Sequence, residues 1–240
     1  MPSSSHDQVA QRLAALSRYH ILDTPPEQDF DDLTFLAAFI CDTPMATITL
    51  LDAKRQWFKS KMGLTSTETP IEHAFCTHSI EQRAVFTVED ATHDERFSSN
   101  PLVTGDPHIR FYAGAPLVTD DGVPLGTICV IDRIPRSLSP QQQQALTALG
   151  RQVIRQMEQR RTSRELNNTL LEKEQALRDV RRLQGLLPIC AYCNRIRDDR
   201  NYWTEIAEYF ALHSEMRFTH GICPTCYPRA REDMGLSPEE

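Results

Sequence analysis

Arg110-Phe-Tyr-Ala-Gly-Ala-Pro-Leu-Val118 and Pro124-Leu-Gly-Thr-Ile-Cys-Val-Ile-Asp132 are two largely apolar runs joined by Thr119-Asp-Asp-Gly-Val123. The Asp-Gly step suits the positive φ angles of a tight reversal, so the two runs predict an antiparallel hairpin. A second pair reads the same way: Met45-Ala-Thr-Ile-Thr-Leu-Leu51 and Arg55-Gln-Trp-Phe-Lys-Ser-Lys61 flank Asp52-Ala-Lys54. Successive side chains of a strand point to opposite faces, so only one of Trp57 and Phe58 points inward. A helix is expected over Ile71–Gln82 and a short strand over Val85–Val88, followed by a loop rich in Asp, Ser, Asn and Pro from Glu89 to Pro107. Helical periodicity marks Asp7–Tyr19, with Val9, Leu13 and Leu16 in one stripe, and Asp29–Cys41. Hairpins with helices before and after predict an α+β fold, a central antiparallel sheet flanked by helices.

From Ser139-Pro140 the chain reads as one long helix to Leu187, with Ser139 as N-cap, Pro140 in the first turn and Pro188 at the far end. Leu146, Leu149 and Val153 follow one heptad frame, whereas Leu166, Leu170, Leu177, Val180 and Leu187 follow another. The frames differ by one residue near Arg160–Ser163. The first part is expected to pack on the sheet and the second to form a parallel coiled coil, giving a homodimer through 139–187. Lys173 and Gln184 fall at core positions and weaken that seam; a helix packed on its own monomer is the competing reading.

The last quarter carries two cysteine pairs, Cys190-Ala-Tyr-Cys193 and Cys223-Pro-Thr-Cys226. Two such turns supply the four thiolates of a tetrahedral zinc site, which leaves no position for water and so implies a structural metal. A segment from about Leu186 onward is shorter than the ~70–80 residues that a self-supporting core needs, and zinc fills that deficit. His213 and His220 lie near enough in sequence to replace a cysteine. A dithiol redox centre and a coincidence of buried cysteines remain the alternatives. The expected division is 1–138 for the sheet domain, 139–187 for the helix and 188–240 for a small zinc-binding module.

Composition narrows the classes further. With 40% hydrophobic and 25% charged residues, the chain of 240 has room for one globular core plus an appendage. No apolar run approaches the ~20 residues that span a bilayer, and Met-Pro-Ser-Ser-Ser-His lacks the features of a signal peptide, so a cytoplasmic location without membrane contact is expected. Cys41, Cys76 and Cys129 do not suggest a disulfide framework there. Net charge is −7, yet residues 151–200 hold twelve Lys/Arg against seven Asp/Glu. That basic stretch raises nucleic-acid binding, but no aromatic residue interleaves with it before Tyr192, and a solvated helix face is preferred.

Ile71-Glu-His-Ala-Phe-Cys-Thr-His-Ser-Ile80, Val88-Glu-Asp-Ala-Thr-His-Asp-Glu-Arg-Phe97, the run from Asn100 to Leu117, and Gly122-Val-Pro-Leu-Gly-Thr-Ile-Cys-Val-Ile-Asp132 follow one another in an order and spacing that resemble a GAF domain. The resemblance covers Leu13 to Arg160. It implies a ligand cavity on the sheet face opposite the helices, in a family whose members sense small molecules, bind chromophores or metals, or dimerise in signalling proteins. The Asn-Lys-x-Phe-Asp-Glu signature of cyclic-nucleotide-binding members is absent, Cys76 lacks the neighbours of a tetrapyrrole attachment site, and the three cysteines fall outside the loops used by methionine sulfoxide reductases of this type. Leu186 to Asp199, Tyr202-Trp203 and His220-Gly-Ile-Cys-Pro-Thr-Cys-Tyr227 resemble a cassette at the C-terminal end of bacterial sensory and response-regulator proteins. Between its cysteine pairs a helix from Trp203 to His213 is expected, with Trp203, Ile206, Tyr209 and Phe210 as its apolar stripe.

Independently of the resemblance, Phe75, Cys76, His78, Asp90, Phe111, Tyr112 and Cys129 are candidates to converge on an apolar cavity with a few polar groups, the alternative being plain core. The long helix holds no histidine for phosphotransfer, and nine scattered glycines form no phosphate-binding loop. The chain is therefore read as a non-enzymatic signalling regulator: a small molecule or partner is sensed, and the helix passes the change to the zinc module and a downstream protein. A thiol redox sensor or reductase using the cysteine pairs, and a nucleic-acid-binding regulator, are the rival readings.

Overall fold

The computed structural model describes residues 5–183, 187–198, 200–214 and 218–235. It divides into two compact units, Met1–Thr169 and Leu170–Glu240. The first holds helices α1 (Ser5–Tyr19) and α2 (Gln28–Cys41), strands β1 (Met45–Leu51), β2 (Arg55–Met62) and β3 (Glu68–Pro70), the short helix α3 (Cys76–Ser79), β4 (Phe86–Val88), the short helix α4 (Pro101–Thr104), β5 (Phe111–Val118) and β6 (Pro124–Asp132). Helix α5 (Pro140–Leu183) follows; the expected extension to Leu187 crosses 184–186, outside the described residues. The six strands form one antiparallel sheet in the order β3-β2-β1-β6-β5-β4, so the α+β fold read from the two hairpins is the one observed.

Every residue of β1 is buried, because both faces of the sheet are covered. Ala46, Ile48 and Leu50 face a core built with Leu16 of α1, Phe30 and Ala37 of α2, and Leu146, Val153 and Met157 of α5. The alternate residues Met45 and Leu51 join a second core with Phe75, Phe97, Tyr112 and Cys129 on the opposite face. In α1 the buried stripe runs through Arg12, Ala15, Leu16 and Tyr19, while Val9 is exposed. The expected single helix over Ile71–Gln82 is instead a 3-10 turn, Ile71–His73, and the short α3, separated at Ala74-Phe75.

A register shift between Ile48 and Thr49 makes a β-bulge in β2 around Lys59. Both Lys59 and Ser60 then point to the helices. The Lys59 ammonium is fully buried; it donates to Thr24 Oγ1 at 2.9 Å and the Pro25 carbonyl at 2.8 Å, and pairs with Glu27 at 2.6 Å. Ser60 donates to Asp31 at 2.6 Å. Arg160 of α5 also reaches Glu27, at 2.9 Å, and donates to the carbonyls of Tyr19 and His20.

The second unit holds the two-residue strands β7 (Ile196–Arg197) and β8 (Trp203–Thr204), paired antiparallel, and helices α6 (Ile206–His213) and α7 (Tyr227–Asp233). Trp203 belongs to β8 rather than to the helix expected there. Among the described residues of this unit, Ile196 and Tyr209 are the buried hydrophobics. No helix among the described residues is long and apolar enough to cross a membrane.

Candidate functional site

Side chains that leave the sheet away from the long helices meet the chain between Gly63 and Thr69 and the loop around α4, and they enclose a cavity of about 140 Å³. Phe58 of β2, Leu102, Ile109 and Ile131 give it apolar walls, and Asp106 and Arg133 add charged groups to its lining. Strands β2 and β3 set Gln56 opposite Thr69 in register. Both line the cavity. The Gln56 amide oxygen and the Thr69 hydroxyl are buried with no hydrogen-bond partner among the described residues. Each such group costs about 1–3 kcal/mol, which a donor placed in the cavity would recover. Asn100 ties the surrounding loops together: its side-chain oxygen caps α4 by accepting from Leu102 N–H at 2.9 Å, and its amide donates to the His73 carbonyl at 3.1 Å.

The family model for the GAF domain matches residues 8–157. The chain belongs to the GAF domain family. The sensory and signalling role attached to that family in the sequence analysis carries over at that level. A cyclic di-GMP phosphodiesterase of Pseudomonas aeruginosa is 45% identical over 125 residues, which are 52% of this chain and 21% of that protein. The chain thus spans about a fifth of that relative's length. This match corrects the non-enzymatic reading, because the relative that shares nearly half its residues over this span is named as an enzyme. Among solved structures, the GAF domain of the Acinetobacter phosphoenolpyruvate-protein phosphotransferase is 17% identical with a TM-score of 0.47, covering 66% of this chain and 95% of that one. A free methionine-R-sulfoxide reductase of Neisseria meningitidis is 13% identical with a TM-score of 0.48, covering 67% and 96%.

Of the residues singled out in the sequence, the GAF cavity brings together Phe75, Cys76, Tyr112 and Cys129. Phe111, next to Tyr112 on β5, faces the helix-side core, as strand alternation requires. His78 lies against Phe97, edge to face at 5.1 Å between centroids, outside the cavity lining. Asp90 closes a local turn, accepting from Thr92 N–H at 3.0 Å and from His93 Nδ1 at 3.0 Å. Hydrogen bonds from Thr92, then the one from His93, hold its carboxyl below the usual range. Gln56 and Thr69 are not among the residues that the sequence singles out. A polar residue beside Trp57 in an otherwise buried strand is the signal for the first; β3, in a stretch without strand periodicity, left none for the second.

In the second unit each cysteine pair sits in a tight turn, with Asn194 N–H donating to the Cys190 carbonyl at 2.9 Å and Cys226 N–H to the Cys223 carbonyl at 3.0 Å. The Cys190 thiol is lowered from its ordinary value by the backbone N–H groups of Cys193 and Tyr192 and by the Cys193 side chain. The Cys223 thiol is lowered likewise by the Cys226 N–H and thiol. Among the described residues no group of three or more His, Cys, Asp or Glu stands as a metal-holding cluster, so the pairs are not gathered into one centre. His213 Nδ1 is bonded to the Tyr209 carbonyl at 2.8 Å and stacks on the Tyr209 ring.

Proposed function

We propose that the chain is a sensory regulator of cyclic di-GMP turnover, in which the GAF cavity binds a small molecule that carries hydrogen-bond donors. The observation behind the ligand is the unpartnered Gln56 oxygen, buried beside Thr69 in a cavity with apolar walls. The phosphodiesterase relative supports the choice of output. Helix α5 is the element through which binding would act, by favouring one of two packings of a helix pair. Its Leu146, Val153 and Met157 are buried, whereas Leu166, Leu170, Leu177 and Val180 are exposed at heptad spacing, which fits a parallel homodimer. The four cysteines, which stand as two separate pairs, would have to be drawn onto one zinc ion, and a closed shell of four thiolates would hold structure rather than do chemistry.

Native mass spectrometry of the freshly purified chain, with Gln56→Leu beside it, tests the ligand. The wild type is expected to retain a small molecule that the variant loses, and adding that compound back should change the cyclic di-GMP level only in cells producing the wild type. Equal retention by both proteins would overturn the reading.

A further inference from the structure

Two thiols in the cavity wall are surrounded in a way that ligand binding does not explain. Cys76 opens α3 and Cys129 lies mid-way along β6, against which α3 packs; both are fully buried. The hydroxyls of Thr49, Thr127 and Tyr112 reach the Cys76 sulfur at 3.3, 2.9 and 3.2 Å, and Thr127 lies two residues along β6 from Cys129 on the same face, so both thiols sit side by side in the cavity wall. Thr47 reaches the Cys129 sulfur at 3.0 Å. The backbone makes room for this arrangement. A Cβ on Gly114 would stand 2.3 Å from the Tyr112 hydroxyl and 2.9 Å from Ser79 Oγ, the group that holds that hydroxyl at 3.0 Å.

A neutral thiol is a weak acceptor; Thr127 donates to the Cys76 sulfur and the Thr49 and Tyr112 hydroxyls stand where each can donate to it, a setting that suits the thiolate. Burial would raise the Cys76 thiol, but the neighbouring Cys129 and the hydrogen bonds from Thr127, Thr49 and Tyr112 outweigh it and bring the group below the usual thiol range. The neighbouring Cys76, then burial, pushes Cys129 up, so its proton stays on. Cys41 is the internal control. It is equally buried in the helix-side core, and desolvation alone pushes it up to about 11.

We propose that Cys76 and Cys129 form a peroxide-responsive dithiol pair. The Cys76 thiolate attacks one oxygen of a small hydroperoxide in the cavity; the O–O bond breaks, and the leaving oxygen takes up a proton to depart as water or an alcohol. Cys76 is left as the sulfenic acid. The Cys129 thiol then attacks that sulfur, the S–O bond breaks, and the hydroxide leaves with the thiol proton as water. Two thiols have become a disulfide, and the hydroperoxide has been reduced by two electrons. The pair is independent of the ligand assigned to the cavity, and its failure would leave that reading standing.

Treating the full chain with hydrogen peroxide, alkylating the remaining thiols and mapping peptides by mass spectrometry tests the proposal. A Cys76–Cys129 linked peptide is expected while Cys41 is still fully alkylated. In Cys129→Ser a dimedone adduct of Cys76 should replace it, and Thr127→Val should form the link about tenfold more slowly. Recovery of Cys76 as a free thiol in the wild type at peroxide levels that oxidise Cys41 would overturn it. So would a link from Cys76 to any other cysteine in place of Cys129.

Discussion

The two units are held by different means. Met1–Thr169 builds two cores on the two faces of one sheet, and even its buried ammonium, Lys59, has three oxygen partners. In Leu170–Glu240, Ile196 and Tyr209 are the buried hydrophobics among the described residues, while Tyr192, Leu212 and Ile222 are exposed. Removing apolar surface from water contributes roughly 25 cal/mol per Å², so the two buried residues contribute a few kcal/mol at most. Among the described residues, burial therefore stabilises the first unit far more than the second. A zinc ion on the cysteine pairs would add binding energy of its own to the second unit.

The largest predicted effect follows from this contrast. Stripping the purified chain with a strong chelator removes on the order of 10–16 kcal/mol of binding energy if zinc holds the second unit. Hydrogen exchange should then show β7, β8 and α6 losing protection while β1, β5 and β6 keep theirs. Cys190→Ser should reproduce the loss without chelator. Unchanged protection in a preparation with no bound metal would remove zinc from the account and leave the unit's stability to be explained by its protein contacts alone.

The same contrast explains what was legible in the sequence. β1 and β6 appear with the bounds expected from composition and from the Asp-Gly turn, because both are apolar runs whose structure is set by local propensity and by burial together. The α3 region is a failure of the opposite kind. The stretch Ile71–Gln82 reads as one helix, yet the chain breaks at Ala74-Phe75, where Phe75 stacks on Phe97 at 4.0 Å between centroids. A contact with a residue 22 positions away in the chain overrides the local preference, and no single-segment pattern records it. The cavity was half legible for a related reason. Tyr112 and Cys129 lie in strands that the sequence marks as apolar runs, which do not by themselves set them apart from Phe111, whereas Gln56 and Thr69 become a site only through the pairing of β2 with β3.

The next effect tests whether the first unit stands on its own cores. Glu27→Ala leaves the Lys59 charge buried beside only neutral oxygens, a change that costs about 3–5 kcal/mol, whereas replacing both residues by apolar ones should cost much less. Burial raises the Glu27 carboxyl, but Lys59 and Arg160 outweigh that and hold it below its usual value. Its stabilisation is thus fully present above the unfolded-state pKa and is lost as the pH falls through the lower, folded one. Denaturant titrations between pH 3 and 7 should show the wild type converging on Glu27→Gln at the acid end. Curves that stay parallel to the lowest pH would mean that the pair contributes nothing.

The smallest effect on stability, and the sharpest for function, concerns the part of α5 that leaves the first core. Beyond Met157 the large apolar residues among the described side chains are exposed: Leu166, Leu170, Leu171, Leu177 and Val180. A single surface change usually alters stability by no more than about 0.5 kcal/mol, so Leu170→Ser with Leu177→Ser should leave the melting of Met1–Thr169 nearly unmoved in a monomer. In a parallel homodimer the same residues form the seam, and the double variant should dissociate at concentrations where the wild type is paired. Sedimentation at a series of concentrations separates the two cases. Single cysteines placed between Arg160 and Ser163, where the heptad frame shifts by one residue, refine the result: disulfide cross-linking between copies should follow one pattern with the cavity empty and another with it filled. A wild-type chain that sediments as a monomer throughout would leave the exposed stripe without a second copy to cover it, and helix α5 without the paired state through which a signal could pass.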